Sequence, residues 1–169
     1  MKIASSYECD ILMFMNIGNE HLFFKIRESK AFLVKERDDS GRAVHHGQFT
    51  LYLDAIALQE TIYIPLSIAS GKKPTGFVYQ IEGTGQGLIS TTDISCKGEG
   101  ITQVTLGTLL YVKIPMGKTA TFKIFVDMKG SANKTYKVIL NRINYKLDPS
   151  DARYKKYDAQ IATKPLTFK

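Results

Sequence analysis

Apolar and polar positions alternate with a period of two along most of this chain, and the longest such pattern covers residues 117–146. In its first arm Ala120, Phe122, Ile124, Val126 and Met128 fall on one face. Thr119, Thr121, Lys123 and Asp127 fall on the other, with Phe125 the exception. In the second arm Tyr136, Val138 and Leu140 alternate with Lys137, Ile139 and Asn141. Successive side chains of a strand point to opposite sides of its sheet, so this alternation is what a half-buried strand requires. The intervening Lys129-Gly-Ser-Ala-Asn-Lys134 supplies the Gly and Asn that turns tolerate. The pattern therefore predicts a hairpin of two long strands.

The same period recurs upstream. Residues 10–16, apolar over 11–15, read as a strand, followed by a turn over 16–19. Residues 21–26 place Leu22, Phe24 and Ile26 on one face, 31–36 form a second short strand, and 48–53 alternate Phe49, Leu51 and Leu53 with Thr50 and Tyr52. The run 54–60 suits a strand or a helical turn. Ile62, Ile64, Leu66 and Ile68 alternate with Thr61, Tyr63, Pro65 and Ser67. Pro65 has no N–H for a ladder, which predicts a sheet edge there. Residues 70–76 read as a loop, 76–82 as a strand, and a Ser/Thr-rich segment between two Gly clusters as one more. A stretch over 105–114 leads into 115–117 and the predicted hairpin, and residues 160–168 offer a last strand. About ten short strands, turn signals at short intervals and no amphipathic helix predict an all-β antiparallel sandwich or barrel.

At 169 residues, 44% hydrophobic and 23% charged, the chain suits one domain over 1–169, with 1–9 as a loosely attached lead-in. The longest apolar run, 11–15, is far short of a spanning helix, so no membrane insertion is expected. The first residues carry Glu8 and Asp10 before that run and lack a signal-peptide pattern. An intracellular chain and a segment of a longer precursor are both open. The net charge of +7 is uneven: residues 85–169 hold 14 basic and 6 acidic side chains, whereas 1–84 hold 9 and 10. A polyanion-binding surface and a lysine-rich solvated sheet face both fit that asymmetry.

The strongest surface signal is the mixture of Arg142, Lys146, Arg153, Lys155 and Lys156 with Tyr145, Tyr154 and Tyr157. Cations beside aromatic rings grip anionic glycans or single-stranded nucleic acid by charge and stacking. The plainer reading is a solvated strand end whose tyrosines are half core. Elsewhere the chemistry is thin. His45 and His46 fall in a loop-like stretch, 41–47, with no carboxylate or Cys at zinc spacing beside them. Gly83-Thr-Gly-Gln-Gly87 lacks the spacing of a phosphate loop and reads as a hairpin loop. Cys96 beside Lys97 is either an activated thiol or, preferably, a small core residue. A Cys9–Cys96 disulfide requires an oxidising compartment. Asp38, Asp39, Asp148 and Asp151 sit in turns where Ca²⁺ binding and Asx turns compete, and no EF-hand spacing is present. Asn133-Lys-Thr135 fits a glycosylation sequon. No catalytic constellation emerges, and no cofactor is expected.

With these strands in view, Lys113-Ile-Pro-Met-Gly-Lys-Thr-Ala-Thr-Phe-Lys-Ile124 resembles the strand-turn-strand entry of immunoglobulin-like repeats in bacterial cell-surface and secreted proteins. Tyr136-Lys-Val-Ile-Leu-Asn-Arg-Ile-Asn-Tyr145 resembles their penultimate long strand, and Asp10-Ile-Leu-Met-Phe-Met-Asn-Ile-Gly-Asn19 their opening strand. The resemblance spans about residues 8–168 and is densest over 110–146. It departs from antibody-type domains, because the chain has no Trp and so no Cys…Trp…Cys arrangement. The chain is also longer than a minimal seven-strand domain. The resemblance implies an Ig-like β-sandwich with a structural or adhesive, non-enzymatic role at the cell surface. Another protein or a cell-surface glycan would be its partner. A glycan- or nucleic-acid-binding module and a jelly-roll assembly or capsid-type protein are the alternatives, the latter because alternating strands serve both topologies.

Overall fold

Strands account for the regular structure in the computed structural model, which describes residues 21–37, 39–70, 75–85 and 87–169. Twelve strands follow in order: β1 (Leu22–Arg37), β2 (Ala43–Ala57), β3 (Ile62–Pro65), β4 (Ile68–Ser70), β5 (Phe77–Gly83), β6 (Leu88–Lys97), β7 (Thr102–Leu106), β8 (Leu109–Ile114), β9 (Thr119–Lys129), β10 (Thr135–Tyr145), β11 (Lys155–Ala162) and β12 (Leu166–Thr167). No helix occurs among the described residues. The predicted opening strand at 10–16, Cys9, Asp38 and Gln86 lie outside them.

The strands form three sheets, ordered β1-β2-β9-β6, β11-β10-β5-β4 and β3-β8-β7, with β12 pairing β10. Every pairing is antiparallel except β4 with β5. The three-stranded sheet and the five-stranded sheet containing β10 are joined at one residue pair. The Tyr63 N–H donates to the Lys146 carbonyl at 2.8 Å, and the Lys146 N–H donates to the Tyr63 carbonyl at 2.9 Å. Tyr63 thereby continues the ladder of β10 where β5 leaves it.

The core lies between the four-stranded sheet and the other two. Leu51, Leu53, Phe122 and Ile124 meet Ile62, Ile114, Phe77 and Leu140 in one cluster. Phe49, Val126 and Met128 meet Tyr79, Tyr136 and Phe168 in a second. Phe77 and Phe122 pack across the layers with ring centroids 4.9 Å apart. The predicted inner face of β9 is confirmed residue by residue, since Ala120, Phe122, Ile124, Val126 and Met128 are all buried.

The predicted hairpin is corrected. β9 pairs with β2 and β6, whereas β10 pairs with β5, β11 and β12, so the two arms belong to opposite sheets. The linking segment crosses the layers rather than turning within one. Tyr136 and Phe168 pack edge-on beneath it at 5.0 Å, while the Asn133 N–H donates to the Phe168 carbonyl and the Ser131 N–H to the Tyr136 hydroxyl. Both arms have an apolar face, and facing each other across a core buries both faces at once; a hairpin would leave each still to be covered.

Other boundaries shift for local reasons. The two short strands expected over 21–36 are one strand with a bulge between Ile26 and Glu28. The extra residue inverts the alternation, so Leu22 and Phe24 point inward before it and Ala31 and Leu33 after it. Strand β2 runs on to Ala57, which removes the helical option for its end. The stretch 105–114 is split by a two-residue turn at Gly107, whose φ of 62° suits glycine. The single last strand expected over 160–168 is two, β11, which begins earlier at Lys155, and the two-residue β12.

Candidate binding surface

Strand β10 ends in the residues that sequence reading singled out, and the structure separates them. Alternation turns Tyr145 inward, where it is fully packed in the core. Tyr157, opposite Ile143 on β11, is half-buried with its ring edge-on to Phe24 at 4.9 Å. Arg142 faces Asp158 on the other side of the sheet, beside a bulge between Leu140 and Arg142. Arg153, Lys155 and Lys156 are exposed. The patch is therefore three solvent-facing cations at one end, with two of its three tyrosines spent on packing.

Lys146 is the unusual member. It is only 8% exposed, yet it carries an ammonium group. Its Nζ lies 4.8 Å from the Tyr154 ring centroid and 5.8 Å from that of Tyr111, and it donates to the Pro149 carbonyl at 3.3 Å. The Tyr111 and Tyr154 hydroxyls are 2.7 Å apart, which closes the cage. Ring faces attract a cation, so the stem can be buried while the charge keeps favourable neighbours. Burial and the Tyr111 hydroxyl hold the Tyr154 phenol protonated well above its ordinary range. Nearby, the Asp148 carboxylate accepts from the Ser150 hydroxyl at 2.7 Å and its N–H at 2.8 Å, forming the Asx turn expected there. Those bonds, and secondarily the charge of Lys146, lower its pKa. This constellation ties β8 of the three-stranded sheet to the loop after β10. Tyr111 was the member that sequence reading missed, because it lies far from Lys146 along the chain.

The histidines are also relocated. His45 and His46 lie on β2, not in a loop, so alternation sends their side chains to opposite faces. The His46 Nδ1 is 2.9 Å from Asp127 Oδ1, the Gln48 Nε2 donates to Asp127 Oδ2 at 3.2 Å, and the His46 Nε2 is 3.9 Å from Glu36. His46 thus links β1, β2 and β9 across the outer face of their sheet. No group of three or more metal-ligating side chains is found among the described residues. Cys96 packs against the core on β6, and burial pushes its thiol up to about 12. A thiol held protonated is a poor nucleophile, which corrects the activated alternative. It is a free cysteine.

These features define an all-β protein of antiparallel sheets around a shared apolar core. Comparison with known proteins finds no family model, no curated protein and no solved structure that matches the chain. No helix among the described residues is long and apolar enough to cross a membrane.

Proposed function

We propose that this chain is a non-enzymatic immunoglobulin-like β-sandwich module, serving as a structural or adhesive unit of a bacterial surface or secreted protein. The strand order carries the reading. With β3, β4, β7, β8 and β12 set aside, the remaining strands take the letters A to G in chain order as β1, β2, β5, β6, β9, β10 and β11. Their sheets then run A-B-E-D and G-F-C, the constant-type arrangement. Of the set-aside strands, β3 and β4 fall between B and C, β7 and β8 between D and E, and β12 after G, which accounts for the length beyond a minimal domain. The direct β1–β2 and β10–β11 connections within one sheet favour this order over a jelly roll. The protonated Cys96 and the structural pairing of His46 support a role without catalysis.

Protease shaving and non-permeant biotinylation of intact source cells test the proposal. Labelling and cleavage of the native protein are the expected outcome, whereas a protected cytosolic protein overturns the surface role. A second reading, binding of an anionic glycan or nucleic acid, draws on the exposed Arg153, Lys155 and Lys156. It requires affinity that falls steeply with salt, and a flat response removes it.

A further inference from the structure

The outer strands of the three sheets differ in how they are guarded. An edge strand presents unpaired N–H and C=O groups, and natural proteins blunt such edges with charge, proline, bulges or shortness. Strand β1 carries Lys25, Arg27, Glu28, Lys30, Lys35, Glu36 and Arg37 and a bulge. Strand β6 carries Asp93 and Lys97 and a bulge between Ile89 and Thr91. Strand β11 carries Lys155, Lys156 and Asp158, and its Gln160 has a φ of 48°. Strands β4 and β12 have three and two residues. Strand β3 contains Pro65, and its outer side is engaged by Lys146. Strand β7, Thr-Gln-Val-Thr-Leu, has none of these devices: five uncharged residues in a regular register with β8.

The direction of its free groups follows from one hydrogen bond. The Leu66 N–H donates to the Leu110 carbonyl at 2.8 Å, so Leu110 turns its backbone away from β7. Thr105 is opposite Leu110. In an antiparallel ladder, opposite residues either exchange both bonds or both point away. Thr105 therefore presents its N–H and C=O to the outer edge, where no strand among the described residues pairs with β7. Gln103, two residues earlier, does the same, and Val104 bonds inward.

We propose that the chain associates with a second copy of itself through this edge, by antiparallel pairing of β7 with β7 about a two-fold axis at Val104. That axis sets Gln103 of each copy opposite Thr105 of the other, so the groups already facing outward exchange four N–H···O bonds. Val104 meets its own equivalent as a non-hydrogen-bonded pair, with Cα atoms about 4.5 Å apart. Thr102 faces Leu106. No like charges are opposed, which is the condition a self-pairing strand must meet. The exposed Leu106 and Leu109 share the face of Val104 at the hairpin tip, so pairing sets the two apolar tips on one sheet face. The product is a closed six-stranded sheet, β3-β8-β7-β7-β8-β3, which buries both unguarded edges and leaves none for further growth. The inference is independent of the surface role proposed above.

Sedimentation of the full chain under reducing conditions, from about 1 μM to about 1 mM, tests it, since a small interface falls in that range. A monomer–dimer equilibrium is expected. Thr105→Pro removes one outward N–H without touching the β8 ladder, and should raise the dissociation constant at least about tenfold. Val104→Lys and Val104→Glu should each be monomeric alone and dimeric when mixed, with far-ultraviolet circular dichroism like that of the parent. A parent that stays monomeric throughout, a dimer indifferent to Thr105→Pro, or Lys and Glu variants that fail to combine would each overturn the proposal.

Discussion

The four-stranded and three-stranded sheets solve the same problem with different resources. In β1-β2-β9-β6 the strands are long, the inner face is buried from Leu22 to Met128, and both outer strands are charged and bulged. In β3-β8-β7 the strands are short, and only Ile62, Ile64, Val112 and Ile114 reach the shared core. The tip beyond them is exposed at Leu106, Leu109 and Leu110. A long strand has residues to spare for charge at its edge once its core face is filled. A five-residue strand at the rim has neither the core contacts nor the guards. Stability should therefore reside in the four-stranded sheet and at the joint where the three-stranded sheet meets β10, while the tip of the three-stranded sheet offers surface.

Gly76→Ala breaks that joint and should have the largest effect. A β-carbon at position 76 would sit 1.8 Å from the Pro65 carbonyl oxygen, where β3 ends, while the Gly76 carbonyl accepts the Asn144 N–H at 2.7 Å. Backbone cannot yield as a side chain tip does, so a loss of at least about 3 kcal/mol is expected in urea unfolding. Next in size, Phe122→Ala removes a fully buried ring from the larger sheet and should cost about 3–5 kcal/mol. Leu109→Ala at the tip of the smaller sheet should change stability by no more than about 0.5 kcal/mol. Equal losses at the two positions would erase the contrast. Tyr154→Phe leaves the Tyr111 hydroxyl without its 2.7 Å partner and should cost about 1 kcal/mol in the same unfolding measurement.

A further effect is alkaline. Cys96 keeps its proton to about 12 when folded, against an ordinary value of 9.0. Between those values the unfolded chain binds fewer protons than the native one, so stability falls as pH rises. The contribution is fully present below pH 9 and is lost toward pH 12. Partly buried Tyr157 and Tyr154, also raised, add to the decline. Melting temperatures from neutral to alkaline pH should fall less steeply in Cys96→Ala than in the parent.

Much of the strand content was legible because alternation is local. Ala120 to Met128 announce a buried face whatever they pair with, and Phe77 and Tyr79 do the same. The misreadings arose where one residue changed the phase or where pattern was weak. The bulge at Arg27 inverts β1, Gly107 cuts β7 from β8 with a two-residue turn, and charged, poorly alternating Lys155 and Lys156 hide the start of β11. The candidate patch failed to hold together for a related reason. Residues close in sequence on a strand alternate between core and solvent, so Tyr145 is turned into the core and cannot share a surface with Arg142 merely by proximity.

Sequence alone determined that this is an all-β chain and which side chains of its clearest strands seek an interior, because those depend on the periodicity of each segment. Pairing was decided by the tertiary structure. Backbone hydrogen bonds are the same for every residue, so nothing in β9 or β10 names its neighbour. Their adjacency in the chain suggested a hairpin, but burying two apolar faces against each other placed them in opposite sheets.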